Sequence, residues 1–452
     1  MTDFALRTYH DATKHSPASI YGGGHGLDWS NRPRSYKRYT TLPPMPPPED
    51  LARLCLYSNG ILRWRHGASG ERYGFRAAPC TGALYHIELY LATAPRADLA
   101  PGLYHYSAHD RALVRLRAGD VRRALLAATA GFAPMASAPT VVALTSTFWR
   151  NAWKYRERAY RHTYWDGGAV LANLLALAPK SSVAMGFVDA EVNRVLGIDG
   201  VTEAAIALIA IGEGAEASSD PGALADLAPP TEPLSPRVIR YAAIEDAHRA
   251  SALASAAEVE AWRATAAAGS DVVATPIAPG KIEDVIRARR STREFSGGPI
   301  MRDALERALA AATEPISGDS FAADLVAPFL IVNGVAGLER GAYNGDLTPI
   351  RLGDARRAAG ELALGQELGA TAAANVYFLS DLEMVFERFG ERGYRVAQIA
   401  GGVAGARLEL AATSLGLGAT GLTFFDDDVT RFFEPAASGR QVMYLAAIGA
   451  RP

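Results

Sequence analysis

A basic cluster near position 290 carries the residue types that bind a phosphate group. The segment RARRSTREF (287–295) follows a helix-like run and places Arg289, Ser291 and Arg293 at alternating positions. A phosphate dianion in a partly dry site is held best by a guanidinium fork together with a hydroxyl donor. The same residues are also explained by a solvated basic helix end that satisfies the last helix carbonyls.

A glycine-rich turn near the C-terminus allows a ligand to approach the backbone closely. Gly416, Gly418 and Gly421 match the pattern GxGxxG. A dinucleotide fingerprint needs a strand before the glycines and a helix after them, but here a helical run (405–415) precedes them and a β-rich run follows. The order therefore argues against that fingerprint. Glycines would let backbone N–H groups come close to a cofactor, and a plain helix C-cap explains them as well.

Two further motifs lie in the first half of the chain. RAAPCTGALYHIELY (76–90) contains a Pro-Cys-Thr-Gly turn before a strand-like run, and its Cys80 could equally be a small buried hydrophobe. A predicted helix carries Lys154 followed by Tyr155. A lysine with a depressed pKa, or a tyrosine assisted by lysine, can accept a proton in catalysis. Alternatively, Lys154, Arg158 and Arg161 form a solvated basic stripe at helical spacing.

The chain contains a long internal repeat. Four pairs of segments match in the same order: GDVRR (119) with GDARR (353), ERAYR (157) with ERGYR (391), FVDAEVNR (187) with FFDDDVTR (424), and ALIAIG (207) with YLAAIG (444). The first two pairs stand 234 residues apart and the last two stand 237 apart. This spacing indicates duplication of a whole domain. A duplicated domain is a homodimer made covalent, so the halves are expected to pack about a pseudo-two-fold axis.

Composition is typical of a soluble protein with several domains' worth of core. The 452 residues are 49% hydrophobic and 21% charged, with a net charge of −2, which gives no sign of nucleic-acid binding or of a basic membrane surface. The only cysteines are Cys55 and Cys80, the histidines form no metal-ligand pattern, and we predict no metal site. With no signal peptide or apolar 20-residue run, a cytoplasmic protein is expected. The predicted organisation is an extended arm (1–50), domain 1 (51–215), a linker with an Ala-rich helix (216–275) and domain 2 (276–452).

Together the motifs resemble the SagB/ThcOx-type azoline dehydrogenase branch of the nitroreductase superfamily, in a tandem form. The resemblance implies an α+β fold in which two nitroreductase-like domains, each a mostly antiparallel sheet flanked by helices, form an intrachain pseudo-dimer with FMN at the interface. By that resemblance Arg289 and Ser291 hold the FMN phosphate and ribityl chain, and Arg293 lies near the N1/O2 edge of the flavin. The turn formed by Gly416, Leu417 and Gly418 would approach the ring.

The resemblance extends to the first half. The segment that begins with Pro79, Cys80, Thr81 and Gly82 resembles a Pro-Ser-x-Gly-x-x-x-x-x-Glu segment that contacts the flavin bound mainly by the opposite half, with Cys80 where serine is usual. Lys154 and Tyr155 resemble a catalytic pair of the azoline dehydrogenases in ribosomal peptide (RiPP) pathways. Each half lacks the motifs that the other retains, so we expect one FMN per chain.

Three functions remain open at this stage. The first is an FMN-dependent dehydrogenase that oxidises a peptide- or carrier-bound heterocycle, azoline to azole, and works with a biosynthetic partner enzyme. The second is an NAD(P)H-dependent nitro- or ene-reductase acting on small molecules. The third is a flavin-free scaffold that docks a biosynthetic partner. In each case no nucleic acid or membrane is expected as a partner.

Overall fold

The computed structural model describes residues 4–23, 26–67, 70, 72–217, 222, 224–266, 281–322 and 324–452. These residues form two compact units. The N-terminal unit comprises the described residues between 27 and 266 together with 315–322, and the C-terminal unit comprises 4–23, 281–314 and 324–452. The predicted boundary between linker and second domain, at 275/276, lies outside the described residues.

Both units mix helices with antiparallel strands. The helices are, in chain order, α1 (Ala5–Ala12), α2 (Pro17–Tyr21), α3 (Glu49–Asn59), α4 (Arg122–Ala128), α5 (Ala133–Ala136), α6 (Phe148–Tyr155), α7 (Ala159–Leu177), α8 (Asp189–Leu196), α9 (Ala242–Ala250), α10 (Ala256–Thr265), α11 (Ile282–Ala288), α12 (Arg302–Ala312), α13 (Arg356–Leu362), α14 (Glu367–Thr371), α15 (Leu382–Ser414) and α16 (Asp426–Phe432). The strands are β1 (Pro44–Met45), β2 (Ile61–His66), β3 (Arg72–Arg76), β4 (Ile87–Thr93), β5 (Gly102–Ser107), β6 (Ala112–Ala118), β7 (Thr140–Thr147), β8 (Ser181–Ala184), β9 (Glu203–Ile211), β10 (Ala327–Val332), β11 (Gly341–Asn344), β12 (Pro349–Leu352), β13 (Ala374–Ser380), β14 (Gly418–Gly421) and β15 (Gln441–Gly449).

The internal repeat is also present in the strand order. The sheet of the N-terminal unit has the order β1-β6-β5-β4-β7-β9-β8, and that of the C-terminal unit has the order β12-β11-β10-β13-β15-β14. Apart from β1, the two orders correspond strand for strand, and every pairing is antiparallel. The duplicated segments are therefore two copies of one fold.

A long buried helix covers each sheet. These helices are α7 in the N-terminal unit and, in the C-terminal unit, the part of α15 that follows the kink at Gly390. A Gly-Gly pair is repeated on both helices, as Gly167-Gly168 on α7 and Gly401-Gly402 on α15. A Cβ added at Gly401 would stand 2.7 Å from the Cβ of Met443 on β15, and one at Gly167 would stand 2.6 Å from Ile206 on β9. The glycines thus allow each helix to pack closely on its sheet.

The segments outside the two sheets differ in conformation from the predicted arm and linker. Residues 4–23, which the sequence suggested were extended, contain α1 and α2 and pack in the C-terminal unit, where Glu391 accepts the backbone N–H of Ala5 and Asp426 accepts that of His15. The Ala-rich stretch forms two helices, α9 and α10, rather than one. Within the described part of the chain, no helix is both long enough and apolar enough to cross a bilayer.

Candidate functional site

The two motifs of the second half meet inside the C-terminal unit. After α11 ends, the chain runs beside β14, where Ser291 forms a parallel bridge with Ala419 and Thr292 donates its N–H to the Ala419 carbonyl at 3.0 Å. A Cβ at Gly418 would stand 2.7 Å from the Thr292 Oγ1, so glycine is needed there for this close contact. The sequence motifs 289–293 and 416–418 thus form one continuous surface.

The glycine turn itself also caps a helix. Gly416 is exposed, has a φ of 76° and follows α15, and the N–H of Leu417 donates to the Ala412 carbonyl at 2.8 Å. This is the hydrogen-bond pattern of a helix that ends in a left-handed residue. The capping role and a contact with a ligand are compatible, because the capping bonds use Gly416 and Leu417 and leave the outer face of the turn exposed.

The basic residues of the 289–293 motif differ in exposure. Arg289 is only 6% exposed and pairs with the buried Glu409 on α15, with Nη1 and Oε2 3.4 Å apart. Burial raises the pKa of Glu409, and Arg289 and the Gly421 backbone N–H partly offset that rise. Ser291 is half-buried, and Arg293 is exposed. Ser291 and Arg293 can therefore meet an anion at the surface, while Arg289 is partly engaged by Glu409.

The Pro-Cys-Thr-Gly turn of the N-terminal unit is held by a buried aspartate from α7. Asp166 accepts the Thr81 backbone N–H at 3.0 Å, the Thr81 hydroxyl at 2.7 Å and the Cys80 thiol at 3.1 Å. The His86 Nε2 lies 2.7 Å from the same carboxylate. Burial, and next the Asp166 charge, raise the pKa of the Cys80 thiol, so Cys80 is a protonated hydrogen-bond donor and a poor nucleophile.

Lys154 and Tyr155 end α6 beside this turn. The Lys154 Nζ lies 5.2 Å from the centre of the Tyr155 ring, and a Cβ added at Gly82 would stand 3.0 Å from the Tyr155 Oη. Burial, assisted by the Asp166 charge, raises the pKa of Tyr155, which keeps its hydroxyl protonated. The solvated basic stripe considered above is wrong, because Arg158 and Arg161 are buried.

The residue after Tyr155 has a strained backbone. Arg156 has φ 49° and ψ −133°, and Gly390, its counterpart 234 residues later, has φ 56° and ψ −158°. This region of conformation is ordinarily open only to glycine. The first repeat thus places an arginine where the second has the residue that suits the backbone.

A buried charge network that the sequence did not reveal lies next to the same turn. Glu88 on β4 pairs with Arg150, and lies 3.6 Å from the Arg76 Nη2 and 3.3 Å from the His105 Nε2. Burial raises the pKa of Glu88, but Arg150 and Arg76 outweigh it, and the net pKa is well below its ordinary value. Arg150 also donates to the Tyr85 carbonyl at 3.3 Å, which links the network to the turn.

In the N-terminal unit, protein groups satisfy the backbone that follows β8. After β8, the counterpart of β14, the N–H groups of Met185 and Gly186 both donate to the carboxylate of Asp319 at 2.9 Å. A Cβ at Gly186 would stand 2.8 Å from the ring of Trp262 on α10. These contacts fix the chain that follows β8, whereas the segment that corresponds to the glycine turn leads into β8 and is Pro179, Lys180 and Ser181.

One group of side chains within the described residues has the spacing of metal ligands. The ligand atoms of Cys80, His86 and Asp166 all lie within 4.8 Å of one another. The carboxylate already accepts hydrogen bonds from Thr81 and Cys80 and contacts His86, as given above. Hydrogen bonding therefore accounts for the arrangement, and we assign no metal to it.

Two known proteins, one related in sequence and one in structure, are nitroreductases by name. A protein of Methanocaldococcus jannaschii assigned by name to the nitroreductases is 28% identical over 142 residues, which are 30% of this chain and 71% of that protein. A crystal structure from Anabaena variabilis, also assigned by name to the nitroreductases, matches with a TM-score of 0.81 at 27% identity over 100% of both chains. No family model matches the chain. The predicted fold of two tandem nitroreductase-like domains is confirmed, while the pseudo-two-fold packing and the site residues stay predictions.

Proposed function

We propose that the protein is an FMN-dependent oxidoreductase. The observation that carries the proposal is the direct contact of Ser291 and Thr292 with β14 in the C-terminal unit, which joins the two flavin-type motifs on one surface. The residues fit the cofactor: Ser291 offers a hydroxyl, Arg293 an exposed guanidinium, and Gly416 an exposed turn without a Cβ. Arg289, which is buried beside Glu409, would support the motif from behind and contribute part of its positive charge.

Bound FMN would accept a hydride from the substrate. The protein's own groups would hold its phosphate through Ser291, with part of the Arg289 charge behind it, and place the Arg293 cation where negative charge develops on the reduced ring. The loss of motifs from each half supports one FMN per chain: where the second repeat has Gly416, Leu417 and Gly418, the first has Pro179, Lys180 and Ser181.

The first test is the visible spectrum of the purified protein and the amount of flavin released per chain. About one FMN per chain supports the proposal, and two would contradict the single-site part of it. Arg293→Ala should weaken FMN binding about 10- to 100-fold, the equivalent of one charge-assisted hydrogen bond of about 1.5–3 kcal/mol. Arg307→Ala on the exposed face of α12 removes the same charge outside the motifs and should leave binding unchanged. No flavin, even after FMN is added, would favour the scaffold function instead.

We further propose that the substrate is an azoline carried on a peptide or a carrier protein. The position of Tyr155 against Gly82, with the Lys154 Nζ over the ring, supports this, because a hydride donor of this kind must also lose a proton, which the neutral amine of Lys154 could accept. With its raised pKa, the Tyr155 hydroxyl is suited to donate a hydrogen bond, so the proton-accepting role falls to Lys154. The azoline would lose a hydride and a proton, and oxygen would take up the two electrons as hydrogen peroxide.

A peptide with one thiazoline tests this directly. Loss of two hydrogens from the peptide, with one equivalent of hydrogen peroxide, is the expected result. Lys154→Ala should abolish turnover and keep FMN bound. Arg388→Ala is the matched control, because Arg388 lies over Phe389 at the same position of the second repeat and its loss should leave turnover intact. Full activity of Lys154→Ala would contradict the proton-accepting role.

The names of the related proteins favour a second candidate, an NAD(P)H-dependent nitroreductase. It uses the same flavin but needs room for a nicotinamide. Rapid bleaching of the flavin by NADPH, followed by reduction of a nitroaromatic compound and no change in the thiazoline peptide, would replace the azoline proposal with this one.

A further inference from the structure

The turn that carries Cys80 and Thr81 has an unfavourable backbone conformation. Gly82, Ala83 and Tyr85 all have positive φ values, of 62°, 54° and 48°. For residues with a Cβ, the left-handed region costs roughly 1–2 kcal/mol each. Such a turn persists only when contacts around it fix its conformation.

Asp166 is the group that makes most of those contacts. Its carboxylate is 5% exposed and binds the turn through the Thr81 N–H, the Thr81 hydroxyl and the Cys80 thiol. The Thr81 hydroxyl also accepts the Asn151 Nδ2 at 2.6 Å, and the Asn151 Oδ1 lies 2.8 Å from the His162 Nδ1. The His162 ring meets the Tyr155 ring edge-on at 4.5 Å. The carboxylate is thus connected to both sides of the turn and to the tyrosine beside it.

The aspartate belongs to one repeat only. The position 234 residues after Asp166 is Ala400, one residue before the second Gly-Gly pair. Ala400 is also buried, so its environment is similar but it has no acceptor. The acid is present in the half that keeps the Pro-Cys-Thr-Gly turn and absent from the half that lacks it.

We propose that Asp166 is a positioning residue for the reaction: it fixes the Cys80–Gly82 turn, and through it Tyr155, in the geometry that turnover requires. The statement about turnover rests on the proposed function. The statement about the turn does not, and it is tested separately.

The turn is tested by alkylating the cysteines of the FMN-loaded protein with iodoacetamide at pH 8 and measuring each site by mass spectrometry. Asp166→Asn removes the negative charge beside the thiol and loosens the turn, so Cys80 should react about tenfold faster, as for a thiol pKa lowered by about one unit. Cys55, which is 1% exposed, reports unfolding and should stay protected. Glu203→Gln removes another buried carboxylate of the same unit, paired with Lys37, and should leave the Cys80 rate unchanged. A wild-type rate in Asp166→Asn would overturn the proposal.

If Asp166→Asn also exposes Cys55, Thr81→Val replaces it, because this variant removes only the Thr81 hydroxyl, with its bonds to Asp166 and Asn151, and keeps the buried carboxylate. Faster labelling of Cys80 alone supports the proposal, and an unchanged rate overturns it. Turnover of the thiazoline peptide then tests the functional part. We expect kcat to fall at least about tenfold with KM nearly unchanged, since misplacement of a reacting group acts on the chemical step. A loosened turn with normal kcat would overturn the positioning role, whereas a wild-type protein without turnover would contradict only the proposed function.

Discussion

Replacing Arg156 with glycine should stabilise the protein, although glycine usually has the opposite effect. The φ of 49° and ψ of −133° at Arg156 place a residue with a Cβ in a region that costs about 1–3 kcal/mol. Glycine removes that strain and loses about 0.5–1 kcal/mol through the greater freedom of the unfolded chain. The expected gain is therefore about 1 kcal/mol, within a range of about 0–2.5 kcal/mol. Arg156→Ala keeps the Cβ and should leave stability nearly unchanged, which separates the backbone effect from loss of the exposed side chain.

The second repeat supplies the reciprocal change. A Cβ at Gly390 would meet no atom within 4 Å, so Gly390→Ala introduces backbone strain and no clash, and it should destabilise by about 0.5–2 kcal/mol. Urea and thermal midpoints of the four proteins measure both effects. Because the strained residue follows Lys154 and Tyr155, Arg156→Gly should also slow turnover of the thiazoline peptide. Equal midpoints for Arg156→Gly and Arg156→Ala, or a neutral Gly390→Ala, would refute the argument from strain.

Three other predictions follow from packing and charge. Glu88→Gln should destabilise the protein by about 3–5 kcal/mol, because it leaves Arg150 and Arg76 buried without their acid. The folded pKa of Glu88 lies below the unfolded value, so this group stabilises the wild-type protein above pH 4.5, and the stabilisation is lost as the pH drops through the folded pKa. An acid titration of the variant should lack that loss. Trp262→Ala should lower the melting temperature, as loss of a buried aromatic ring costs about 3–5 kcal/mol, while released flavin stays at one FMN per chain because Trp262 lies outside the flavin-type motifs. Gly405→Ala should destabilise by about 1–3 kcal/mol, because its Cβ would overlap the Tyr444 ring, whereas Gly23→Ala, with no atom within 4 Å, should be neutral in the same melting experiment.

The repeat made most of the fold accessible from the sequence. Once the segments at 187 and 424 are matched, the helix–turn–strand order around Gly416 and the common sheet follow, because equal sequences at equal spacing adopt equal elements. The contact of Ser291 with Ala419 could not be predicted, since it joins residues more than a hundred positions apart in the chain.

The roles of the supporting residues were missed for a related reason. Glu88 is the last residue of the motif that begins at Pro79, but the motif does not reveal its buried arginine partners, and Asp166 stands in an apolar helix directly before the Gly-Gly pair. Their roles depend on which elements pack together, which a local pattern does not contain. A residue-by-residue comparison of the repeats would have identified two of the positions: Asp166 stands against Ala400, and Arg156 stands against Gly390. Differences between otherwise matched copies were the available signal.

The path of the chain between the units matters for anyone who wishes to express them apart. Residues 4–23 pack in the C-terminal unit although they begin the sequence, and residues 315–322 pack in the N-terminal unit although they follow α12 of the other. A cut in the linker would therefore separate α1 and α2 from the C-terminal unit. The same cut would separate Asp319, with its bonds to Met185 and Gly186, from the N-terminal unit. Split halves would need to be produced together, and complementation between them would report on the exchange of these two short segments.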